Sequence, residues 1–270
     1  MRKFLTIVKF TVADILHQKS FFILLAVCIG FVLLLRGCYK GSYVVDGQAV
    51  TGVTIAWHAS IIAFHIVSAG VLLIAAVLSM GMLHRDREDG TVAYMLSRPI
   101  DRSAYVLGRA AGLWVVSFLF MFALHLTIFI LTWAMAGGTM PGYLTASLVC
   151  SVNVLFMVLL ICLLSLALPD FASALAGIGV AGISYISDSL FNAMHSSLVQ
   201  SAIGSSAQSG TSGWRIAWPK IASLQYYAGS LIDKSQFHMM GPVHPALVMV
   251  LYCCAVAAGL VLAFRARDIL

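Results

Sequence analysis

Six times between Ser20 and Phe264 the chain passes through an apolar stretch of roughly bilayer-crossing length. A crossing helix takes about 20 mostly apolar residues, with a usual range of roughly 17–25. The stretches are 20–36 (Ser20 to Leu35, closed by Arg36), Ile55–Leu83, Val106–Met135, Leu144–Leu168, Phe171–Leu190 and Ala246–Phe264. Arg36 has a stem long enough to carry its charge to the interface. The expected fold is all-α: a polytopic membrane protein with six transmembrane helices and a single transmembrane domain over 1–270. The first stretch lies too far from Met1, and lacks the small-residue cleavage site, to read as a removable signal peptide.

Composition closes off the alternatives. Of the 270 residues 61% are apolar and 10% charged, against about 45–50% and about 25% in ordinary soluble domains. A soluble globule of this size has too little interior for that apolar surface. Disordered, collagen-like and disulfide-rich secreted classes are excluded on the same grounds. The six cysteines (Cys28, Cys38, Cys150, Cys162, Cys253, Cys254) sit mostly in apolar runs without metal-ligand spacing. No metal site is expected from them.

The net charge of +6 is explained by the excess of Lys and Arg in cytoplasmic loops, so no nucleic-acid partner is expected. With the N-terminus inside, eleven of the 16 Lys and Arg residues fall on the cytoplasmic face and five outside. Both termini are therefore expected in the cytoplasm, in a plasma membrane and specifically a bacterial inner membrane.

Residues 1–19 read as an amphipathic interfacial helix: Lys3, Thr6, Asp14, His17 and Gln18 share one stripe, and Phe4, Leu5, Ile7, Val8, Val12, Ile15 and Leu16 supply most of the rest. Two roles fit it, a surface anchor or an elbow that moves during a transport cycle. Residues 191–245 form a long outer region. Its first part is Ser/Gly-rich, and Trp214 to Ile232, with Trp214, Trp218, Tyr226 and Tyr227, suits a short helix lying on the outer interface.

Residues 84–105 are the most charged stretch of the chain. Gly90 breaks one helical segment, Thr91 can cap the next, and Pro99 stops it. Between those signals Tyr94, Met95 and Leu96 stand as an apolar knob with a charged rim, a shape suited to a groove on a cytosolic partner. A plain charged inner loop is the alternative. Neither reading is decided by pattern alone.

The step Glu88-x-Gly90-Thr91, followed by Ser97-Arg98-Pro99, Arg102, Tyr105 and Gly108-Arg109, resembles the signature between the second and third spans of ABC-2 type ABC transporter permeases. Arg109 stands where that family usually has Lys. The resemblance implies a permease subunit, an exporter in that family's manner, with residues 84–105 holding a short cytoplasmic coupling helix. Glu88, Gly90, Thr91, Tyr94, Met95, Leu96, Pro99 and Arg102 would form the contact with a cytosolic ABC ATPase subunit. It also implies a dimeric core made with a second permease copy or a related permease. The chain lacks a G-x-x-x-x-G-K-[ST] run, so ATP and Mg would bind the partner subunit, and the chain itself is expected to be a transport subunit with no cofactor and no catalytic residue. The cargo is unidentified; lipid-like or amphipathic molecules suit spans with few fixed charges. Mechanical work on an outer-side partner is a second use of the same motion.

Other signals point elsewhere. Gly177-Ile178-Gly179-Val180-Ala181-Gly182 matches G-x-G-x-x-G but sits inside an apolar helix with no strand before it. Its small residues, Ser173, Gly177, Ala181 and Gly182, are instead expected to pack helices closely, as are Gly108 and Gly112. His58 and His65, seven residues apart, share a helix face, and His125 lies in the third span. An intramembrane enzyme or metal-handling protein using His58, His65 and His125 is the alternative function; cavity lining and structural hydrogen bonding are the other roles open to them. Asp170 and Asp188 are expected at solvated span ends.

Overall fold

The computed structural model describes residues 2–34, 36–39, 43–45, 48–50, 52–88, 90–91, 101–136, 141–194, 217–233, 237 and 243–266. Helix α1 (Arg2–Leu16) meets α2 (Lys19–Leu34) at a bend of 70°. After α2 come a single turn, α3 (Arg36–Tyr39), and an antiparallel hairpin of β1 (Tyr43–Val45) and β2 (Gln48–Val50), in which Tyr43 pairs with Val50. The long helices are α4 (Gly52–Ser79), α6 (Arg102–Ala136), α7 (Gly142–Ala167), α8 (Asp170–Met194) and α10 (Pro245–Ala266). Two shorter ones, α5 (Met82–Glu88) and α9 (Ile221–Asp233), complete the described set. Apart from this short hairpin the described elements are helical, as expected of an all-α chain. The hairpin's strands are β-branched and aromatic in part, and Asp46-Gly47, a pair favoured in two-residue hairpin turns, lies between them in sequence.

Among the described residues five helices are long and apolar enough to cross a membrane, or six if the bent pair of α1 and α2 is one span. The apolar helices fit a multi-pass membrane protein. The stretch expected as the first span, 20–36, is the 16-residue helix α2, which begins just after the bend at Gln18. At about 1.5 Å per residue α2 alone covers about 24 Å, short of a hydrocarbon core of about 30 Å.

Helix α7 is the centre of the bundle. It packs against α4, α6, α8, α9 and α10, and its inward residues include Phe156, Met157 and Ile161, all essentially fully buried. Helix α1 lies along the first turns of α6. Its buried residues Ile7, Thr11 and Ile15 recur every four positions, a single stripe. Facing them are Gly108 and Gly112: a Cβ at Gly108 would sit 2.9 Å from Ile7 Cγ2, and one at Gly112 2.7 Å from Thr11 Cγ2. The two glycines therefore let α1 approach the α6 backbone closely. On the other side of α1, Leu5 and Phe10 are exposed. The α1 stripe that packs inward thus includes the polar Thr11, which a division into polar and apolar faces does not anticipate.

The expected interfacial helix at 214–232 is instead a packed one. In α9 the residues Ile221, Ala222, Ser223, Leu224, Gln225 and Ala228 are buried, and the helix lies against α4, α7, α8 and α10. Its last turn meets the start of α7, where a Cβ at Gly142 would run into the Leu231 carbonyl oxygen. Its first residue meets Asn153, whose side-chain amide donates to the Ile221 carbonyl at 2.8 Å. Asn153 lies eleven residues beyond Gly142, about 16 Å along the α7 axis. Helix α9 therefore starts deep in the bundle and runs back to the hairpin end, a re-entrant arrangement. Such irregular entry into a membrane bundle is tolerated where protein surrounds it.

Candidate functional site

At the end of the bundle formed by α1, α5 and the start of α6, an ion pair is buried. Arg109 donates through Nε to Asp86 Oδ2 at 2.7 Å, and its Nη2 also engages Asp86 Oδ1, a two-pronged contact. Tyr105 donates its hydroxyl to the same Oδ2 at 2.6 Å. The remaining Arg109 prong, Nη1, reaches Thr11 Oγ1 at 3.3 Å, and Thr11 in turn donates to the Ile7 carbonyl at 3.0 Å. Asp86 and Arg109 are each 5% exposed and Tyr105 and Thr11 are fully buried. Three segments far apart in sequence, α1, α5 and α6, are pinned by one carboxylate and one guanidinium.

Local sequence explains how these groups meet. Gly81, at φ 71°, takes the left-handed conformation that other residues resist. It ends α4 and redirects the chain so that α5 turns Asp86 inward. A Cβ at Gly81 would also lie 2.7 Å from Asp170 Oδ2, so glycine suits both the turn and the contact with α8. On α6, Tyr105 and Arg109 are four apart and so share a face. Asp86 belongs to the most charged stretch of the chain, residues 84–105, and the sequence alone does not reveal its pairing with Arg109. Nothing in the local run of charges distinguishes Asp86 from its neighbours; only the one-turn spacing of Tyr105 and Arg109 hinted at a common target.

Of the residues expected to contact a partner, Glu88, Gly90, Thr91 and Arg102 are described, and in sequence they flank this lock. Glu88 is exposed at the end of α5 and pairs with His84 one turn back at 3.2 Å. Gly90 has φ 67°, again left-handed, and Thr91 follows it, half-buried. Arg102 opens α6 and is exposed. Tyr94, Met95, Leu96 and Pro99 lie outside the described residues.

Ser173, Gly177 and Ala181 face inward on α8. A Cβ at Gly177 would be 2.8 Å from Ile161 Cγ1 of α7, and Ser173 and Ala181 are buried. Gly182 has no atom within 4 Å of such a Cβ. Further along the inward stripe come Ser184 and Asp188. Asp188 is 4% exposed, in contrast to its expected solvation. Its Oδ2 accepts from the Ser223 amide at 2.8 Å and the Ser223 hydroxyl at 2.6 Å. Ser184 Oγ accepts from the Ala222 amide at 3.3 Å and donates to the Pro219 carbonyl at 3.0 Å. The first amides of a helix have no partner within it. Here a neighbouring helix supplies them, and the carboxylate also meets the positive end of the helix dipole.

The three histidines are not brought together. His58 is exposed on α4. The His65 carbonyl and ring Nδ1 meet the Gln225 amide nitrogen of α9 at 2.9 and 3.1 Å, and Gly229 gives the ring room. Tyr185 donates to the Gln225 carbonyl oxygen. His125 is fully buried between Ser68, at 3.3 Å, and Ser147, at 3.0 Å, with Phe64 stacked on its ring at 4.6 Å. Among the described residues no three His, Cys, Asp or Glu side chains form a group that could hold a metal ion. No protein-family model matches the chain, and no curated protein matches it.

Proposed function

We propose that the chain is the membrane-embedded permease subunit of an ATP-driven exporter of the ABC-2 type. In this reading it has six spans, counting α1 and α2 together as the first, with both termini in the cytoplasm of a bacterial cell and the domain in the inner membrane. It pairs with a second copy or a related permease. A cytosolic ABC ATPase, which binds ATP and Mg, docks on a short coupling helix within residues 84–105. The cargo is an amphipathic or lipid-like molecule.

The observation that carries this reading is the buried Asp86–Arg109 pair. It lies at the root of residues 84–105, with Arg109 itself inside the sequence signature, and it binds α5, α6 and the α1 elbow into one unit. A docking segment is useful only if its displacement reaches the membrane helices as a rigid movement. Interfaces between packed elements shift between discrete arrangements rather than deforming continuously, and a desolvated, two-pronged ion pair resists shear between its partners. ATP-driven closure of the docked subunit would then tilt α6 and α1 together, a shift between two populated states.

The test is co-expression with the Walker-type ATPase of a neighbouring reading frame. The two chains are expected to co-purify and to hydrolyse ATP faster together than the ATPase does alone. Tyr94→Asp is expected to abolish that stimulation while the chain still inserts. Failure to co-purify with any such ATPase, or full stimulation by the Tyr94→Asp chain in vesicles, would overturn the reading.

A further inference from the structure

Two openings follow one another along a single face of α4. The first is an apolar crevice of about 230 Å³ between α2 and α4, floored by Leu124 of α6 and lined by Val32, Ala63, Gly70 and Ile74. The second is a polar cleft of about 420 Å³ at the charged end of the bundle, reached over Val77 and Leu78 of α4. Ala63, Gly70, Ile74 and Val77 recur at steps of three, four and seven, so they share one helix face. Ile74 and Val77 are three residues apart, about 4.5 Å along the axis, so the apolar crevice begins within one turn of the polar cleft. Both openings face sideways, where Phe31, Ile66 and Val77 are strongly exposed.

The polar cleft has an unusual charge arrangement. Asp86 and Arg109 form its floor, bonded to one another and, through Asp86, to Tyr105, and Asp14 adds a weaker electrostatic interaction with Arg109. Two charged walls remain, Asp14 on α1 and Arg85 on α5, with Gln18 beside Asp14. Both charged side chains are exposed, and among the described residues neither makes an ion pair or a hydrogen bond. An acid and a base thus line one cleft, neither in an ion pair or a hydrogen bond among the described residues, beside an apolar crevice that opens sideways.

We propose that this composite site holds one amine-bearing zwitterionic phospholipid. Its phosphate sits against Arg85, its ammonium against Asp14 and Gln18, and one acyl chain lies in the crevice along Gly70. An anionic headgroup without an amine would satisfy Arg85 and leave Asp14 facing a like charge. A free headgroup would leave the crevice unfilled. Only a molecule with both charges and a tail complements all three walls. The site needs nothing from an ATPase, so its failure and the failure of the transporter reading are separate results.

The experiment uses the purified full-length protein in detergent, incubated with equal dioleoyl phosphatidylethanolamine and dioleoyl phosphatidylglycerol. Bound lipid is counted by native mass spectrometry. The unaltered chain is expected to retain one phosphatidylethanolamine with at least fivefold preference. Asp14→Asn should bring that preference to near unity, and Arg85→Gln should reduce retention of both lipids about tenfold, with Arg85→Lys restoring most of it. Gly70→Leu, at a position with no atom within 4 Å of a new Cβ, should fill the crevice and reduce retention of both lipids about equally. Asp14 and Arg85 are exposed, so their variants keep the fold, and an unchanged thermal transition checks this. Equal retention of the two lipids by the unaltered chain, or retention indifferent to Asp14→Asn and Gly70→Leu, reflects the lipid annulus alone and overturns the proposal.

Discussion

The two ends of the bundle bury a carboxylate in opposite ways. At the charged end Asp86 is neutralised by a formal opposite charge, Arg109, brought from another helix. Toward the hairpin end Asp188 meets amide and hydroxyl donors of Ser223 at the start of α9. An ion pair locks two segments tightly but leaves a costly orphan if either partner goes. A carboxylate bonded to a helix terminus spreads its charge over several weak dipoles, and loss of the carboxylate frees those donors rather than stranding a charge. The first design suits elements that move as one body; the second suits a helix that has to be seated.

The largest expected effect comes from breaking the ion pair on one side only. Arg109→Met leaves Asp86 charged in a dry site and should cost about 3–5 kcal/mol of stability. The thermal transition of the detergent-solubilised chain would fall steeply, and adding Asp86→Leu should recover most of the loss. A double variant as unstable as the single one would mean that the pair matters by shape rather than charge. Asp188→Ala removes a charged acceptor from two donors and should cost about 3 kcal/mol. Hydrogen exchange is expected to rise at least tenfold in α9 with little change in α1, α5 and α6. A uniform rise across the bundle would erase the distinction between a lock and a seat.

Smaller effects sharpen the same contrast. Gly142→Ala places a methyl against the Leu231 carbonyl, where only backbone movement of α9 gives room. Overpacking of this kind costs about 2 kcal/mol, read as a lower thermal midpoint with exchange again raised in α9. Tyr105→Phe keeps the ring and removes one donor to Asp86, for a loss of about 1.5 kcal/mol. That variant should leave α9 exchange unchanged.

The long spans were legible because run length alone decides them: α6, α7, α8 and α10 begin and end within a few residues of the apolar stretches. The break between residues 1–19 and the first stretch was legible too, since α1 and α2 meet at Gln18, although α2 is too short to cross a bilayer unaided. Helix α9 misled for a physical reason. Trp218, Tyr226 and Tyr227 are the residues of an interfacial belt, yet buried Ile221, Leu224, Ala228 and Ile232 form a helical stripe that the sequence also carries. Gly108 and Gly112 were readable as a packing pair, although their partner, α1, was not. The polar groups were the hardest. Asp86 sits in a charge run and Asp188 near a span end, and no local signal tells a solvated carboxylate from one whose partner lies 23 or 35 residues away.

The buried start of α9 has a consequence for how the protein is made. A 13-residue segment is too short to be threaded across a bilayer as it leaves the ribosome, and its cradle is built from α4, α7, α8 and α10, the last of which follows it in sequence. Its seating therefore waits until α10 has been made and inserted. An assembly intermediate with every long helix inserted and this one still outside would present Asp188 without its donors, a mark by which quality control can tell an unfinished copy from a mature one.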